Sequence, residues 1–334
     1  MAVSIASKSA LAQNGLRPLD VRRDMRGVAT LIGEVFANEL DRAGLASLRE
    51  LRTISRLGPL LYLLVPGNGE LNGFFQGFVW EEGGEIVGNV TLQQLDDLGR
   101  RWMIANVAVA PSLRRRGIAR ALMDAALERI WQAGGEWALL QVREHNDVAR
   151  SLYERMGFSK IMTETALRCQ RPPATPPVSL PADVEIERLY DRDWPAVQYL
   201  LSQALPGLPR WWNPIRSKNF RRNSDPALVL RWGHRLGLPQ RQRLGLRRGS
   251  DLLGVLDVWA NPRDEQRLDI LLHPDVREAW TEPVLHYGLR ELQRYPQQPI
   301  SATLFDYQPQ AIVSLQALDF RPTRVLVTMR KRLA

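Results

Sequence analysis

Three consecutive arginines, Arg114, Arg115 and Arg116, followed by Gly117, stand between an apolar run and an amphipathic segment. Guanidinium groups offer planar, forked donors, which is the chemistry that grips phosphate. Upstream, Trp102 to Ala110 is apolar almost throughout and predicts a strand covered on both faces. Pro111 breaks it. Downstream, Ala119, Leu122, Met123, Ala126 and Ile130 recur at helical spacing and predict a helix from Gly117 to Trp131. Acidic residues normally favour a helix N-terminus, because the dipole there is positive. This start carries arginine and glycine instead. The free N–H groups of its first turn and the arginines would aim positive charge at one place, and such a place binds phosphate. Gly117 removes a side chain where a ligand would approach the backbone, and Ala119 keeps the next turn thin.

A second constellation lies further on. Asn146 to Phe158 predicts a helix with clear ends. Asn146 is a good N-cap, Asp147 suits the dipole, and Ala149, Leu152, Tyr153 and Met156 share a face. Gly157 stands where a left-handed exit residue belongs.

The two stretches resemble motifs A and B of the GNAT N-acetyltransferase superfamily. Arg114, Gly117 and Ala119 match the pattern Arg/Gln-x-x-Gly-x-Gly/Ala of motif A. Asn-x-x-Ala-x-x-Leu-Tyr-x-x-x-Gly-Phe over 146–158 resembles motif B. The resemblance covers residues 14–170 and implies direct transfer of an acetyl group from acetyl-CoA to an amine, with no covalent enzyme intermediate. It implies that Arg114, Arg115, Arg116, Gly117, Ile118, Ala119 and Arg120 cradle the pyrophosphate. It implies that Val107, Ala108 and Val109 run beside the pantetheine arm, as an added strand would. Asn146 would touch the cofactor or simply cap its helix. No metal is implied.

The same resemblance places Tyr153 near the sulfur as the acid. A phenol of pKa ~10 can donate to a thiolate of pKa ~8.5 or above. A core tyrosine on an amphipathic helix is the other reading. The base is open. A lysine-like amine of pKa ~10.4 is neutral only about once in 2,500 molecules at pH 7. The strand Trp102 to Ala110 holds no Glu. Glu81 and Glu82, placed in a hairpin turn, rank first, ahead of Asp96, Asp97, Glu144 and His145.

The elements that position these groups can be read in order. Leu16 to Asp20 predicts a first strand, Met25 to Leu40 a helix, and Arg42 to Leu57 a second one. Pro66 to Gly69 is a turn. Phe74 to Trp80 and Glu85 to Gln94 form a hairpin about Glu81-Glu82-Gly83-Gly84. Trp137 to Val142 and Ser159 to Cys169 are further strands. Residues 1–13 are a loose tail, and five prolines between Gln170 and Ala182 mark a stiff linker over 171–182.

The remainder, 183–334, repeats the plan. Leu272 to Arg277 can be laid on Val109 to Arg114, and Gln308 to Phe320 on Asn146 to Phe158. Pro111 and Gly157 are 46 positions apart, Pro274 and Asp319 are 45. In that register Gly117 becomes Trp280, Arg115 becomes Glu278 and Tyr153 becomes Leu315. The expectation is a mixed α/β fold of two tandem GNAT-like domains, each a mostly antiparallel twisted sheet flanked by helices. The first is catalytic. The second is degenerate, with an indole in the would-be phosphate loop.

Composition bounds the rest. With 334 residues, 45% hydrophobic and 24% charged, the chain suits two globular domains. No apolar run approaches the ~20 residues that span a bilayer. One cysteine, Cys169, excludes an internal disulfide and fits a reducing cytoplasm. A net charge of +9 suits an anionic cofactor or a nucleic acid. Arginines and tryptophans over 210–248 raise the second option, by stacking and phosphate contact. A solvated face is the plainer reading of that segment. The expected acceptor is a small-molecule or peptide amine. The alternative is a non-catalytic acyl-CoA sensor or nucleic-acid-associated protein.

Overall fold

The computed structural model describes residues 14–37, 76–171, 180–182, 184–205, 207 and 238–333. The predicted tail, the helix over 42–57, the turn over 66–69, most of the proline-rich linker and the segment 210–237 lie outside them. Contacts divide the chain into two compact units. No helix among the described residues is long and apolar enough to cross a membrane.

The first unit comprises residues up to Val142, Asn146–Lys160 and Met329–Ala334. Its strands are β1 (Gly15–Pro18), β2 (Gln76–Glu82), β3 (Glu85–Gln94), β4 (Arg101–Val109) and β5 (Trp137–Arg143), adjacent in that order. β1 to β4 pair antiparallel, and β4 pairs parallel with β5. Helix α1 (Val21–Val35) lays Val28 and Ile32 on Val79, one face of the sheet. Helix α2 (Ile118–Gln132) crosses the other face, where a Cβ on Gly88 would stand 3.0 Å from Ile118 and 3.1 Å from Leu122. That glycine lets α2 approach the sheet closely. Helix α3 (Asp147–Arg155) follows β5.

The hairpin turn is shorter than expected. It is Gly83-Gly84 alone, both at positive φ, as a two-residue turn requires. Glu81 and Glu82 therefore belong to β2, beyond a bulge at Trp80/Glu81. Helix α1 also starts four residues early, because Asp20 accepts from the Arg22 N–H and caps it.

The second unit comprises Arg143–His145 and Ile161–Thr328. It contains β6 (Ser159–Cys169) from Ile161 on, β7 (Glu185–Arg188), α4 (Trp194–Ala204), β8 (Gln240–Arg248), β9 (Asp251–Ala260) and β10 (Gln266–Leu272). Then follow α5 (Pro274–Leu292), β11 (Ile300–Phe305), α6 (Pro309–Ala317) and β12 (Arg321–Arg332) up to Thr328. Its strand order is β12-β6-β11-β10-β9-β8-β7. Trp280, Val284, Leu285 and Leu289 of α5 join Leu256, Leu268 and Leu304 in its core.

These units do not follow the expected 14–170 and 183–334 division. β6 pairs antiparallel with β11, from Ile300↔Cys169 to Phe305↔Glu164. Residues 329–334 instead join the first unit, where the Leu333 N–H donates to Glu136 O at 2.8 Å and Arg330 lies 4.6 Å over the Trp137 ring. Prolines mark where the chain is stiff, but strand partners are chosen by register and by which edge is open.

Candidate active site

The strand before the arginines carries a bulge. β4 runs opposite β3 as Val109↔Gly88 and Ala108↔Asn89, but Ala105 faces Thr91, so Asn106 and Val107 together oppose Val90. Asn106 is left-handed at φ 53°. A bulge bends the strand that holds it. β4 pairs with β5 only from Arg101↔Trp137 to Ile104↔Leu140, so the two strands part beyond that point. The Ala110 N–H donates to Val87 O on β3 at 2.8 Å. By alternation, Ala108 also faces β3, while Val107 and Val109 turn their backbone groups toward the opening.

The chain then makes a single 3-10 turn, Pro111–Leu113, and enters the arginine loop. Arg114 Nε lies 3.4 Å from Val109 O and fastens the loop to the strand end. Arg115 takes a left-handed φ of 64°, a strained choice for a long side chain. Arg116 pairs with Glu82 at 3.2 Å. Gly117, at φ 82° and ψ −4°, is the N-cap of α2 and offers no side-chain cap. The first turn holds no acid. A Cβ at Gly117 would meet no atom within 4 Å, so the space beside it is open. Exposed guanidiniums, uncapped N–H groups and a side-chain-free turn thus fit a diphosphate by charge and by shape. Ile118 is buried and anchors the turn, Ala119 is half-buried, and Arg120 pairs along the helix with Asp124.

Asn146 caps α3, accepting from the Ala149 N–H at 3.1 Å. Tyr153 is 6% exposed and meets Phe158 edge-on at 6.1 Å. Burial pushes its phenol up to about 12. It therefore stays a neutral O–H donor throughout the physiological range.

The expected bases fare differently. Glu81 is 1% exposed and bound by two guanidiniums, Arg17 at 2.7 Å and Arg23 at 2.7 Å, with Asp24 completing the cluster on Arg17 at 2.6 Å. It is a buried ion pair beneath α1, with both carboxylate oxygens held by guanidiniums rather than offered to an amine. Its place in β2 rather than in the turn is what turned it inward. Glu82 accepts from Trp80 Nε1 and holds Arg116, so it orders the loop. Asp96 is likewise engaged: burial opposes its charge, but the Arg101 and backbone hydrogen bonds outweigh that and lower its pKa.

The second unit repeats the frame. Leu272↔Gly254 matches Val109↔Gly88 in register, and Asp319 at φ 62° stands where Gly157 stands at φ 86°. Phe320 N–H to Leu315 O at 3.1 Å matches Phe158 N–H to Tyr153 O at 3.0 Å. Arg277 even reaches Leu272 O at 3.3 Å, as Arg114 reaches Val109 O. The anion-binding features are gone. Helix α5 starts at Pro274, directly after His273, whose Nδ1 accepts from the Asp275 N–H. Trp280 is thus not in a loop, as the alignment suggested, but two turns inside a helix and buried. β9 and β10 pair without a bulge. Gln308 bridges the parted strands, donating to Ile270 O at 2.8 Å and accepting from the Phe305 N–H at 3.2 Å. The arginines of the basic segment that are described are engaged too: Arg241 and Arg243 with Asp257, Arg247 with Asp193, and Arg248 over Trp280.

Sequence reasoning missed Asn89, Thr91 and Asn106 at the bulge, although polar residues inside apolar strand runs were a visible signal. It also missed β12, whose Val325 to Met329 run reads as a strand.

Comparison with known proteins bears on this geometry. Residues 59–158 match the model of the acetyltransferase (GNAT) family. An N-alpha-acetyltransferase of Sulfurisphaera tokodaii is 32% identical over 94 residues, 25% of this chain and 56% of that protein. The chain thus spans about half the length of that relative. A GCN5-related N-acetyltransferase from Sphaerobacter thermophilus has the same fold over 95% of both chains, with TM-score 0.61 at 12% identity. A tandem GNAT protein from the clavulanic acid biosynthesis pathway matches 95% of this chain and 98% of its own, with TM-score 0.54 at 19% identity.

Proposed function

We propose that the chain is a member of the GNAT superfamily through its first half and acts as an N-acetyltransferase using acetyl-CoA. The observation that carries the reading is the uncapped N-terminus of α2, with Gly117 left-handed and open beside Arg114, Arg115 and Arg116. Arg114 to Arg116 and the N–H groups of Ile118, Ala119 and Arg120 hold the diphosphate. The backbone of Val107 and Val109, on the side of β4 away from β3, takes the pantetheine arm between the parted strands, beyond the last β4–β5 pair. The acceptor nitrogen forms a bond to the acetyl carbon, the C–S bond breaks, and the sulfur leaves with the electron pair. Tyr153 donates a hydrogen bond to that sulfur. With its pKa at about 12, the phenol stabilises the thiolate without giving up its proton fully.

The nitrogen must lose a proton as the amide forms; neither Glu81 nor Glu82 is a ready base, so that proton passes to solvent water, which reprotonates the departing thiolate. An acceptor that needs little help suits this site. An α-amine of pKa ~7.7–8.0 is neutral in about one molecule in ten at pH 7, against about one in 2,500 for a lysine side chain. The name of the Sulfurisphaera tokodaii relative points the same way. The second half is a GNAT-like domain that has lost the anion site and acts as structural partner rather than as catalyst.

Thiol release from acetyl-CoA, measured against peptides with a free α-amine and with that amine blocked, tests this. Release with the free α-amine alone is expected. Release confined to lysine-bearing, α-blocked peptides would overturn the acceptor class, and none with any amine would overturn the activity.

A further inference from the structure

Asn89 has the burial of a core residue and the chemistry of a functional one. It is 0% exposed, and it is the cross-strand neighbour of Val79, which packs under α1. Its Nδ2 donates to Asn106 O at 2.9 Å. Its Oδ1 is buried with no partner among the described residues. A half-satisfied amide in a core is costly to keep, and an apolar side chain of that size would avoid the cost. Two positions along β3, Thr91 Oγ1 donates to Ala105 O at 3.1 Å and accepts from Asn106 Nδ2 at 3.0 Å. Two β3 side chains therefore grip two successive carbonyls of β4, both at the bulge.

The grip has a geometric consequence. A trans peptide unit points its carbonyl and the following N–H in opposite directions. Asn106 O is drawn toward Asn89, so the Val107 N–H is turned away from β3, toward the side where β4 has left β5. The left-handed φ of Asn106 is a strained state that persists only where neighbours enforce it. The second unit serves as an internal comparison. By the shared Gly88/Gly254 register, Val255 stands where Asn89 stands, and the strand opposite it has no bulge.

We propose that Asn89 is a positioning residue: by holding Asn106 O it aims the Val107 N–H at the acetyl carbonyl oxygen, where negative charge grows as the amine attacks. This rests on the acetyltransferase reading. Asn89 touches no substrate itself. It acts through one peptide plane.

Asn89→Val, which installs the residue of the second half, tests it. The measurements are kcat and KM for acetyl-CoA, affinity for 3′,5′-ADP, and thermal melting. Removing one aimed donor costs about 100-fold or more in kcat, and mis-aiming it should cost about 10- to 100-fold. Affinity for 3′,5′-ADP, which reaches only the arginine loop, should stay within about twofold of wild type. An Asn89→Val protein with wild-type kcat would overturn the proposal, as would an equal loss of 3′,5′-ADP affinity and kcat. If Asn89→Val does not fold, Thr91→Val carries the test: a severalfold loss of kcat supports the grip, and an unchanged kcat overturns it. Wild-type protein that binds no acetyl-CoA would instead bring down the acetyltransferase reading, and the proposal with it.

Discussion

Replacing Gly117 by alanine separates backbone strain from ligand contact. Gly117 sits at φ 82° and ψ −4°, the left-handed region. An L-residue there costs roughly 1–2 kcal/mol. No atom lies within 4 Å of the added Cβ, so the free protein incurs the backbone cost alone. For a domain of this size that is a fall of roughly 2–4 °C in Tm per kcal/mol. With CoA bound as proposed, the same Cβ would stand in the open space that the diphosphate would fill. A tenfold loss of affinity corresponds to about 1.4 kcal/mol, and at least that is expected. Gly134 supplies the control. It lies just past the other end of α2, at φ 79°, and its added Cβ also meets nothing within 4 Å. Gly134→Ala should cost the same stability and leave CoA binding untouched. Calorimetric titration with CoA and thermal melting of both variants give the answer. Equal Tm losses with CoA affinity unchanged in both would refute the placement of the diphosphate at this loop.

Tyr153→Phe should lower kcat by about 100-fold, as the loss of one aimed hydrogen-bond donor does, with little change in KM for acetyl-CoA. Because its folded pKa is about 12 against 10 unfolded, Tyr153 contributes stability below pH 10 that is lost as pH rises toward 12, and the variant's unfolding free energy should fall less over that window. Glu81→Ala leaves Arg17 to Asp24 alone and Arg23 to solvent, so it should cost about 1–3 kcal/mol of stability, read by denaturant unfolding, whereas a base would show as lost kcat at wild-type stability. Truncation after Met329 removes the Leu333–Glu136 hydrogen bond and the Arg330 stack on Trp137, and should lower Tm with a loss of about 2 kcal/mol or more, seen in melting of the shortened chain.

Local sequence carried the elements whose signals are local. The apolar run before Pro111, the helical spacing from Ala119 to Ile130 and the cap at Asn146 all reappear as β4, α2 and α3. The left-handed exit at Gly157 was legible from its place after a capped helix, whereas Gly117, read as clearing space for a ligand, proved left-handed as well. The duplication was legible as well, and strand register bears it out at Gly88 and Gly254. What stayed hidden depends on partners far along the chain. Whether Glu81 faced solvent or Arg17 hung on where a two-residue turn ended, and one position of slip inverts a strand's faces.

The sequence by itself determined that an arginine- and glycine-rich loop joins a buried strand to a helix, because charge, glycine and periodicity are properties of neighbouring residues. Tertiary structure alone decided that β4 bulges at Asn106 and parts from β5, that Glu81 is locked in an ion pair, and that β6 from Ile161 on pairs with β11. Each of these is a choice among pairings of distant strands, and the free energy that settles it is shared across residues tens to hundreds of positions apart.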